Sequence, residues 1–556
     1  MGPRRWGTVP LVVILGAGVS PAIASRSSRN SSVNQQLFRD NSRGAGETPA
    51  LPVPKDAAAV ILLRHNTDPT APEVFLAKRS QELAFLGGYH AFPGGQFDVN
   101  DAKARVENCN HAIKTAISCA ARELFEETQV LVARGGDALT KGQRESLFDD
   151  LQSGRMSWPA LLNHYELHLD ADDFTFVGRW VTPPFSARRF DTLFFLVDCP
   201  AKQNARIDAD AELESGSWIT ASEAVERWQS SEILAVPPVL HALKTLAGGL
   251  TEDLVQRFLA SPNAQGDPVR RIEFRPNYIC FPVRTPTKPP ATHTNCYLVY
   301  TSQELLIIDP GSPYEDEQQA LAQAIDDLIA QDRAVREIVL THVHPDHVGG
   351  VIALKKHLDE QTKVAAHKLT AEPLSDSVRV DRLIEDGDLT NLKGSPEITL
   401  RAMHTPGHAR GHLCFHEERT GTLISGDNIV GLGSVLIEPA EGNMRDYLNS
   451  LRRMRALPNL SVIFGGHGPA IANPYTKLDQ YISHRLEREQ NILQAVREGA
   501  ATAAEIVTRV YTDVSPKAHA MAERAVLAHL EKLVEDRLVQ TRGPDKFVRP
   551  IESDVS

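Results

Sequence analysis

Hydrophobic and polar positions follow strand-like and helix-like patterns in turn along the first half of the chain. Beginning at Ala57, the runs AAAVILLRH and VFLAKRS are short and apolar and flank the turn-rich NTDPTAP, which predicts two strands joined by a loop. Apolar spacing predicts a helix over about 111–129, strands at FTFVGRWV and DTLFFLVD, and helices through ASEAVERW and PPVLHALKTL. These elements together predict one α+β unit over about 52–250.

The second half of the chain alternates differently. After the Pro/Thr-rich stretch PVRTPTKPPATHTN, strand-like runs that end in Gly, Asp or His alternate with helical runs as far as SVIFGGHGPAI, which is typical of a layered α/β domain. From about 476 onward the pattern is helical and charged. We place a boundary near 265–280 and expect domains at 52–250, 265–475 and 476–556.

Length, charge and cysteine spacing limit the classes of protein to which this chain can belong. A length of 556 residues predicts roughly two to four domains. The formal charge of -12 and the pI near 5.9 argue against a protein that coats nucleic acid, although they leave room for a local basic groove. The six cysteines are scattered without a C-x-x-C spacing, so we expect core thiols rather than thiolate zinc sites or a disulfide framework.

The segment LTHVHPDHVGG, residues 340–350, concentrates four candidate metal ligands after the apolar run IVL: His342, His344, Asp346 and His347. Imidazole and carboxylate are ligands that divalent transition metals prefer. In an extended His-x-His segment both imidazoles point to the same side, whereas Asp346 and His347 follow a proline bend and can face a second ion. Further ligands are then expected at later strand ends, and HTPGHARGH, LISGDNIV and IFGGHGP supply His408, Asp427 and His467.

These residues resemble the ligand pattern of the metallo-β-lactamase superfamily, because H-x-H-x-D-H, G-H, S-G-D and G-H-G occur in order over about 290–475. The resemblance implies an αββα sandwich that holds two zinc ions. It also implies that Asp427 bridges the ions and that Asp309, in IIDPG, orients a histidine ligand. The other implied ligands are His342, His344 and His408 on one zinc, and Asp346, His347 and His467 on the other.

The implied ions determine the class of reaction. Two such cations, roughly 3.5 to 4 Å apart, activate a bridging hydroxide and stabilise the oxyanion formed by its attack. The expected reaction is hydrolysis of an ester, a thioester or a phosphodiester, with Asp346 as the catalytic residue that holds the hydroxide's proton. His404 and His412 flank the ligand loop, and we leave open whether they support a ligand, face the substrate or are structural.

The chain beyond His467 predicts a small helical domain, because apolar residues recur at helical spacing in YISHRLEREQNIL and TAAEIVTRVYTDVSPKAHAMAERAVLAHLEKLVEDRLVQ. This tail is similar to the winged-helix-like tail of β-lactamase-like hydrolases that include a single-stranded-RNA endoribonuclease. A lid or a homodimer contact is the alternative role. An RNA partner therefore stays open beside a small-molecule substrate.

A second candidate site lies between FPGGQFDVND and AARELFEETQV, over 92–130. On a helix, Glu123 and Glu127 stand four positions apart with Glu126 in reach, so three carboxylates share one side. A solvated face paired with Arg122 is one interpretation. A glycine-rich turn before such a helix also suits Mg²⁺ that bridges a diphosphate, because hard cations prefer oxygen ligands.

These residues resemble the Nudix box, G-x5-E-x7-R-E-U-x-E-E-x-G-U, whose positions are matched by Gly95, Arg122, Glu123, Leu124, Glu126, Glu127 and Val130. The chain departs from the box in three ways: Asp101 replaces the first glutamate, an insert of about thirteen residues follows, and Gln129 replaces the late glycine. The resemblance implies an α/β/α sandwich, Mg²⁺ or Mn²⁺ bound by Glu123 and Glu127, and Glu126 as base or further ligand. WVTPPFSARRFDTLFFL is similar to the branch that includes coenzyme A diphosphatases.

The leading interpretation is a bifunctional metal-dependent hydrolase. Its substrate is a nucleoside diphosphate derivative or a coenzyme A ester, and acyl-coenzyme A is one molecule that both sites can cleave. RNA cleavage by the zinc site is a second interpretation, and a Nudix part that senses a nucleotide without hydrolysing it is a third. True β-lactamase activity ranks lower because it gives the fused unit and the tail no role. The ligands do not identify the substrate.

The N-terminus resembles a secretory signal peptide, because MGPRRW is followed by the apolar VPLVVILGAGV and the small-residue AIAS, and 25–50 is typical of a linker. The apolar run is too short and too interrupted by Gly and Pro to span a bilayer, so no membrane contact is expected. Because the inferred chemistry consumes intracellular metabolites, we predict a cytoplasmic protein, with export as the alternative.

Overall fold

The computed structural model describes residues 53–548, except for 66–70, 84–85, 187, 209–211, 513–514 and 544–545. The predicted leader and linker over 1–50 lie outside the described residues. The chain forms two compact units that divide between Pro276 and Asn277. Within the described ranges, no helix combines the length and the apolar character needed to cross a membrane.

A seven-stranded mixed sheet forms the centre of the first unit. Lys55–Arg64 pairs in parallel with Phe190–Asp198 and antiparallel with Glu73–Arg79, so the two predicted N-terminal strands are adjacent. The remaining strands of this sheet are His90–Ala91, Gly94–Gln96, Thr175–Val181 and Leu213–Thr220. Three shorter strands of the unit are Val106–Glu107, Leu169–Asp170 and Ile272–Arg275.

The helix Lys114–Thr128 packs its apolar side against this sheet. Leu124 and Phe125 are fully buried in one cluster with Val60 and Phe195 of the strands. The helix predicted over about 111–129 is therefore confirmed, as are the predicted strands and the two later helices. The other helices are Lys141–Gln152, Trp158–His164, Ala221–Gln229, Pro237–Ala247 and Leu254–Leu259, with single 3₁₀ turns at Asp101–Lys103, Gly136–Ala138, Ala171–Asp173 and Pro262–Ala264.

Two sheets form the second unit. In one, the neighbouring strands are Tyr278–Arg284, His293–Tyr300, Glu304–Ile308, Ala334–Val339, Val364–Ala366 and Arg382–Leu383. In the other, they are Leu389–Leu392, Ile398–His404, Leu413–Glu417, Thr422–Gly426 and Val462–Gly465. Each sheet begins with antiparallel pairs and ends with parallel ones.

Each of these sheets carries helices on one face. Glu315–Ile329 and Val351–Leu358 pack on the first, and Met444–Arg455 and Pro474–Arg497 pack on the second. The other faces meet, because the rings of Tyr297 and Phe464 lie 5.5 Å apart and the Tyr278 hydroxyl donates to Glu417 at 2.8 Å. This is the predicted αββα sandwich. Two short helices, Pro345–Val348 and Lys368–Leu374, lie in its loops.

The tail has a hydrophobic core of its own. Helices Ala503–Val510 and His519–Glu535, the 3₁₀ turn Pro516–Ala518 and the antiparallel pair Gln540–Thr541 and Phe547–Val548 contribute to the tail, and its core also includes the end of Pro474–Arg497. A capping box between Thr502 and Glu505 begins the first of these helices. The predicted winged-helix-like domain is confirmed.

The cysteines are all free thiols. Four are buried, as expected of core thiols: Cys119, Cys280, Cys296 and Cys414. Cys109 and Cys199 are partly exposed.

Candidate functional site

The structure brings together all seven predicted ligands of the second unit, and each side chain follows the end of a strand. The segment 342–347 follows Ala334–Val339, and the later ligands follow Ile398–His404, Thr422–Gly426 and Val462–Gly465. Ligand atoms lie within 4.8 Å of one another in two groups, His342, His344 and His408, and Asp346, His347 and His467.

In the first group, three ring nitrogens face one point, because His344 Nδ1 lies 2.9 Å from both His342 Nε2 and His408 Nε2. The opposite nitrogen of each ring donates to an oxygen at 2.8 to 2.9 Å: His344 to Glu441 Oε2, His408 to Leu436 O and His342 to Thr341 Oγ1. Each inward nitrogen therefore carries a lone pair. Three lone pairs at this spacing repel one another unless a cation lies between them.

In the second group, too, each histidine has one ring nitrogen bound to an oxygen and the other directed inward. His347 Nδ1 donates to Asp309 and His467 Nδ1 donates to the His293 carbonyl, both at 2.8 Å, so Nε2 of each ring faces inward. Asp346 Oδ2 lies 3.5 Å from His467 Nε2.

Asp427 stands between the two groups. Its Oδ2 lies 3.2 Å from His467 Nε2 and 3.7 Å from His408 Nε2, and its Oδ1 lies 3.4 Å from His347 Nε2. A carboxylate that bridges two ions needs this position.

A divalent cation fits this centre. His347 Nε2 and Asp427 Oδ1 are buried and, among the described residues, have no hydrogen-bond partner, so a bound cation would compensate their lost hydration. Gly466 leaves the necessary space, because a Cβ there would lie 2.2 Å from Asp427 Oδ1 and 2.8 Å from His347 Cε1. Imidazole and carboxylate donors together suit Zn²⁺ and similar ions.

The two ligand groups differ in their electrostatics, because carboxylates raise the pKa of His347 whereas burial lowers the pKa of His408. Burial alone would lower the pKa of His347, but Asp427 and Asp309 hold that pKa well above its usual value. Burial and the neighbouring imidazole of His344 lower the pKa of His408 to about 4, so this ring stays neutral and able to ligate. Burial would raise the pKa of Asp346, but His347 and other neighbours keep it below its usual value.

Asp309 links the two groups, as expected of an orienting aspartate. Its oxygens accept from the backbone N–H of Thr341 at 2.8 Å, from the Thr341 hydroxyl at 2.6 Å and from His347 Nδ1 at 2.8 Å. The Thr341 hydroxyl in turn accepts from His342 Nδ1. One buried carboxylate therefore orients His347 directly and His342 through Thr341.

Two orienting groups were missed from the sequence. Glu441 is separated from His344 by 97 positions and lies in a loop with no ligand-like spacing, so no local signal pointed to it. Thr341 directly precedes His342, and its hydroxyl next to a candidate ligand was the available signal.

The two histidines left open have different surroundings. His412 is buried, and its Nε2 accepts from the backbone N–H of Asp427 at 3.1 Å, so it supports a ligand loop. His404 Nε2 donates to the Arg410 carbonyl at 2.8 Å, and its ring stacks on His367 at 4.1 Å.

The carboxylates predicted in the first unit lie on Lys114–Thr128. Glu127 Oε2 accepts from the Gly94 N–H at 3.0 Å, and the Glu123 carboxylate rests on Gly95, where a Cβ would lie 2.4 Å from Glu123 Cδ. Burial raises the pKa of Glu123 to about 7, and burial together with Glu123 raises that of Glu127 well above its usual value. A divalent cation would relieve this crowding of negative charge.

Arg122 binds Asp101, one of the three departures from the Nudix pattern. Its guanidinium pairs with both oxygens of fully buried Asp101 at 3.0 Å, with Glu123 at 2.8 Å and with Glu126 at 2.7 Å. Asp101 thus reaches the arginine despite the insert, and Gln129 adopts the left-handed φ of 60° that favours glycine. Glu126 bonds Arg122, and the described residues form no group of three converging ligand atoms here.

Comparisons with known proteins agree with the site of the second unit. The model of the metallo-beta-lactamase superfamily matches residues 289–467, and that of the beta-lactamase associated winged helix domain matches 502–546. The chain is 30% identical over 255 residues to the beta-lactamase-like protein 2 homolog of Caenorhabditis elegans, covering 46% of this chain and 83% of that protein.

Two further similarities are to proteins whose names state an activity. The chain is 32% identical over 274 residues to an atrochrysone carboxyl ACP thioesterase of Aspergillus chevalieri, covering 47% of this chain and 80% of that protein. A solved Nudix hydrolase from Alicyclobacillus acidocaldarius is 30% identical, covering 36% of this chain and 93% of that chain. Its TM-score of 0.32 is too low to assign a fold.

Proposed function

The chain belongs to the metallo-β-lactamase superfamily and carries a hydrolase domain of that fold, and from this premise we propose that its metal centre hydrolyses a thioester. The convergence of five imidazole nitrogens and two carboxylates carries the proposal. A thioester is favoured among esters because the relative from Aspergillus chevalieri, of which this chain covers 80%, is named as a thioesterase.

We infer a role for each ligand residue from the geometry of the centre. When bound, two divalent ions would supply a water of lowered pKa and an electrophilic contact for the carbonyl oxygen. One ion would be held by His342, His344 and His408, the other by Asp346, His347 and His467, with Asp427 shared between them.

We assign the proton transfer to Asp346. Burial would raise its pKa, but His347 and other neighbours keep that pKa low, so the carboxylate is ionised at neutral pH. Thr294 Oγ1 donates to its Oδ2 at 3.3 Å, which limits rotation of the group. The ionised carboxylate would accept a proton from the water that attacks the carbonyl carbon and return it to the sulfur as the C–S bond breaks, so the products are a carboxylic acid and a thiol.

Release of free thiol tests the proposal. With Zn²⁺ and Mg²⁺ present, Asp346→Asn is expected to lose about 100-fold or more in thiol release, in the range typical of a lost general base. Glu127→Gln, in the other unit, should retain the wild-type rate. If zinc-loaded wild type releases no thiol from acyl-coenzyme A or from acyl-N-acetylcysteamine, thioester hydrolysis is the wrong function.

For the first unit we propose hydrolysis of a diphosphate linkage that requires Mg²⁺ or Mn²⁺. The crowded carboxylates of Glu123 and Glu127 beside the Gly94–Gly95 turn support it, because a cation there can neutralise a diphosphate while water attacks phosphorus. Glu127→Gln should then abolish release of phosphorylated fragments from coenzyme A, and Asp346→Asn should not. Nucleotide binding by a wild type that releases no fragments would instead favour the sensing role.

A further inference from the structure

Residues 436–441, here called the rim loop, border the metal centre. The Leu436 carbonyl accepts from His408 Nδ1 at 2.9 Å, and Glu441 Oε2 accepts from His344 Nε2 at 2.8 Å. Both ends of the rim loop thus contact predicted metal ligands.

Three cations contact the middle of the rim loop. Lys288 Nζ lies 2.5 Å and Arg524 Nη1 lies 3.2 Å from the same oxygen of Glu438. Arg410 Nη2 donates to the Ala440 carbonyl at 3.5 Å.

The cations come from three separate segments. Lys288 follows Thr287, whose hydroxyl is 3.4 Å from His467 Nε2. Arg410 lies two positions after the ligand His408, and Arg524 belongs to the tail helix His519–Glu535. The fold therefore gathers positive charge from distant parts of the chain at one border of the centre.

The rim loop has two carboxylates, Glu438 and Glu441, against these three cations, so the positive charge is only partly neutralised. Lys288 and Arg524 share a single carboxylate, and in the described part of the chain Arg410 has no acidic partner within ion-pair distance. The side chains of Lys288 and Arg524 are 57% and 58% exposed, so a solute can reach them. In a chain with a net charge of -12, such a border attracts an anion.

We propose that Lys288, Arg410 and Arg524 bind a phosphate on the thiol half of the substrate. The substrate class is then a thioester whose thiol is carried on a phosphate-linked arm, as in coenzyme A or an acyl carrier protein. This inference rests on the proposed thioester hydrolysis.

The placement of the cations favours phosphate on the carrier over a carboxylate on the acyl group. Their charged ends contact Glu438 and Ala440 of the rim loop and not the ligand atoms, which suits an anion many bonds from the cleaved C–S bond. Arginine and lysine are also the side chains that pair best with phosphate oxygens, arginine through two parallel N–H bonds.

Equilibrium binding of two thiols tests the proposal. Phosphopantetheine and pantetheine differ by one phosphate, so any bond between thiol and metal contributes equally to both. Neither molecule has a diphosphate, so the site proposed in the first unit does not interfere. The zinc-loaded full chain is expected to bind phosphopantetheine about tenfold more tightly, as one or two charged hydrogen bonds allow.

Variants test whether the three cations at the rim loop cause that preference. Combining Lys288→Gln, Arg410→Gln and Arg524→Gln should reduce the ratio of the two affinities to near one and leave pantetheine binding unchanged. Arg497→Gln, at an exposed helix end of the same unit, is the matched control and should keep the wild-type ratio. Lys288→Arg combined with Arg524→Lys preserves charge and should keep most of the preference.

Several results would overturn the proposal. If the wild type binds phosphopantetheine and pantetheine equally, there is no phosphate site. If the triple variant keeps the wild-type ratio of affinities, the phosphate does not bind these residues. An equal loss of pantetheine binding would show that these residues support the metal centre instead. Rim-dependent binding of single-stranded RNA without a phosphopantetheine preference would point to an RNA partner. Thiol release from phosphate-free acyl-N-acetylcysteamine tests the proposed function separately, so the two failures are distinguishable.

If the preference is found, thiol release from acyl-coenzyme A and from an acylated carrier protein distinguishes the two sources of the phosphate. A lower KM on either one that is lost in the triple variant, with kcat retained, supports the proposal and identifies the source.

Discussion

Asp309 orients a histidine of each ligand group, and Asp309→Asn tests that role with almost no change in side-chain size. In the wild type, Oδ2 accepts from His347 Nδ1 and from the Thr341 hydroxyl, and Oδ1 accepts from the Thr341 N–H. In the variant, an amide NH₂ in place of Oδ2 would donate toward a ring N–H. His347 must then carry its proton on Nε2, the atom that faces Asp427 at 3.4 Å.

The size of the effect follows from which contacts are lost. Loss of an orienting partner typically costs about 10- to 100-fold in metal affinity, which is roughly 1.4 to 2.7 kcal/mol. His342 keeps the Thr341 hydroxyl, and His344 keeps Glu441. The weakening should therefore fall mainly on the ion next to His347.

Competition against a fluorescent zinc chelator measures both ions of one protein. The variant is expected to release one ion about 10- to 100-fold more readily and the other nearly as the wild type does. Asp316→Asn is the control, because that side chain is 69% exposed and its ion pair with Arg284 contributes little. Wild-type affinity for both ions would refute the orienting role of Asp309, and equal weakening of both would show that its link to His342 through Thr341 matters as much as its direct bond to His347.

Three further predictions concern the first unit. Gly95→Ala should abolish diphosphate hydrolysis and leave thiol release intact, because its Cβ would displace the Glu123 carboxylate; retained fragment release would contradict this. Arg122→Ala leaves the buried Asp101 carboxylate without its cation, although it keeps the bonds from the Asp98 N–H and the Ser118 hydroxyl, so urea unfolding followed by tryptophan fluorescence should show a loss of stability of about 3–5 kcal/mol. A loss below about 1 kcal/mol would contradict this prediction. Burial lowers the pKa of His90 to about 4, so the folded state resists protonation there and stability should fall by roughly 2–3 kcal/mol as pH drops from 6.5 to 4. His90→Gln should flatten this part of the pH dependence of unfolding, and an unchanged slope would exclude His90 as its source.

Tryptophan fluorescence suits these unfolding measurements because of where the tryptophans lie. Trp158, Trp180, Trp218 and Trp228 belong to the first unit, and the sequence has no tryptophan over 277–556. Three of them are less than one-tenth exposed, so unfolding of this unit changes their surroundings.

Local sequence patterns were sufficient for much of the fold. The helix Lys114–Thr128 and the strands around it could be predicted because alternation and helical spacing involve residues only a few positions apart. The same holds for the cluster of candidate ligands at 342–347, whose six-residue spacing is visible without any structure. The partly buried ion pair of Glu126 with Arg122 was one of two interpretations that the sequence left open, because a four-residue spacing suits a paired helix face as well as a cation site.

The residue types at the strand ends, and their order, can be read from the chain alone, and they define the class of metal ligands available. The nitrogen of each ring that points inward depends on folding, because it is selected by partners such as Glu441, 97 positions from His344. Folding also brings Arg524 of the tail to Glu438 at the border of the metal centre, across 86 positions. Such contacts arise when packing of the whole unit brings distant segments together. Periodicity involves residues only a few positions apart, so it does not predict them.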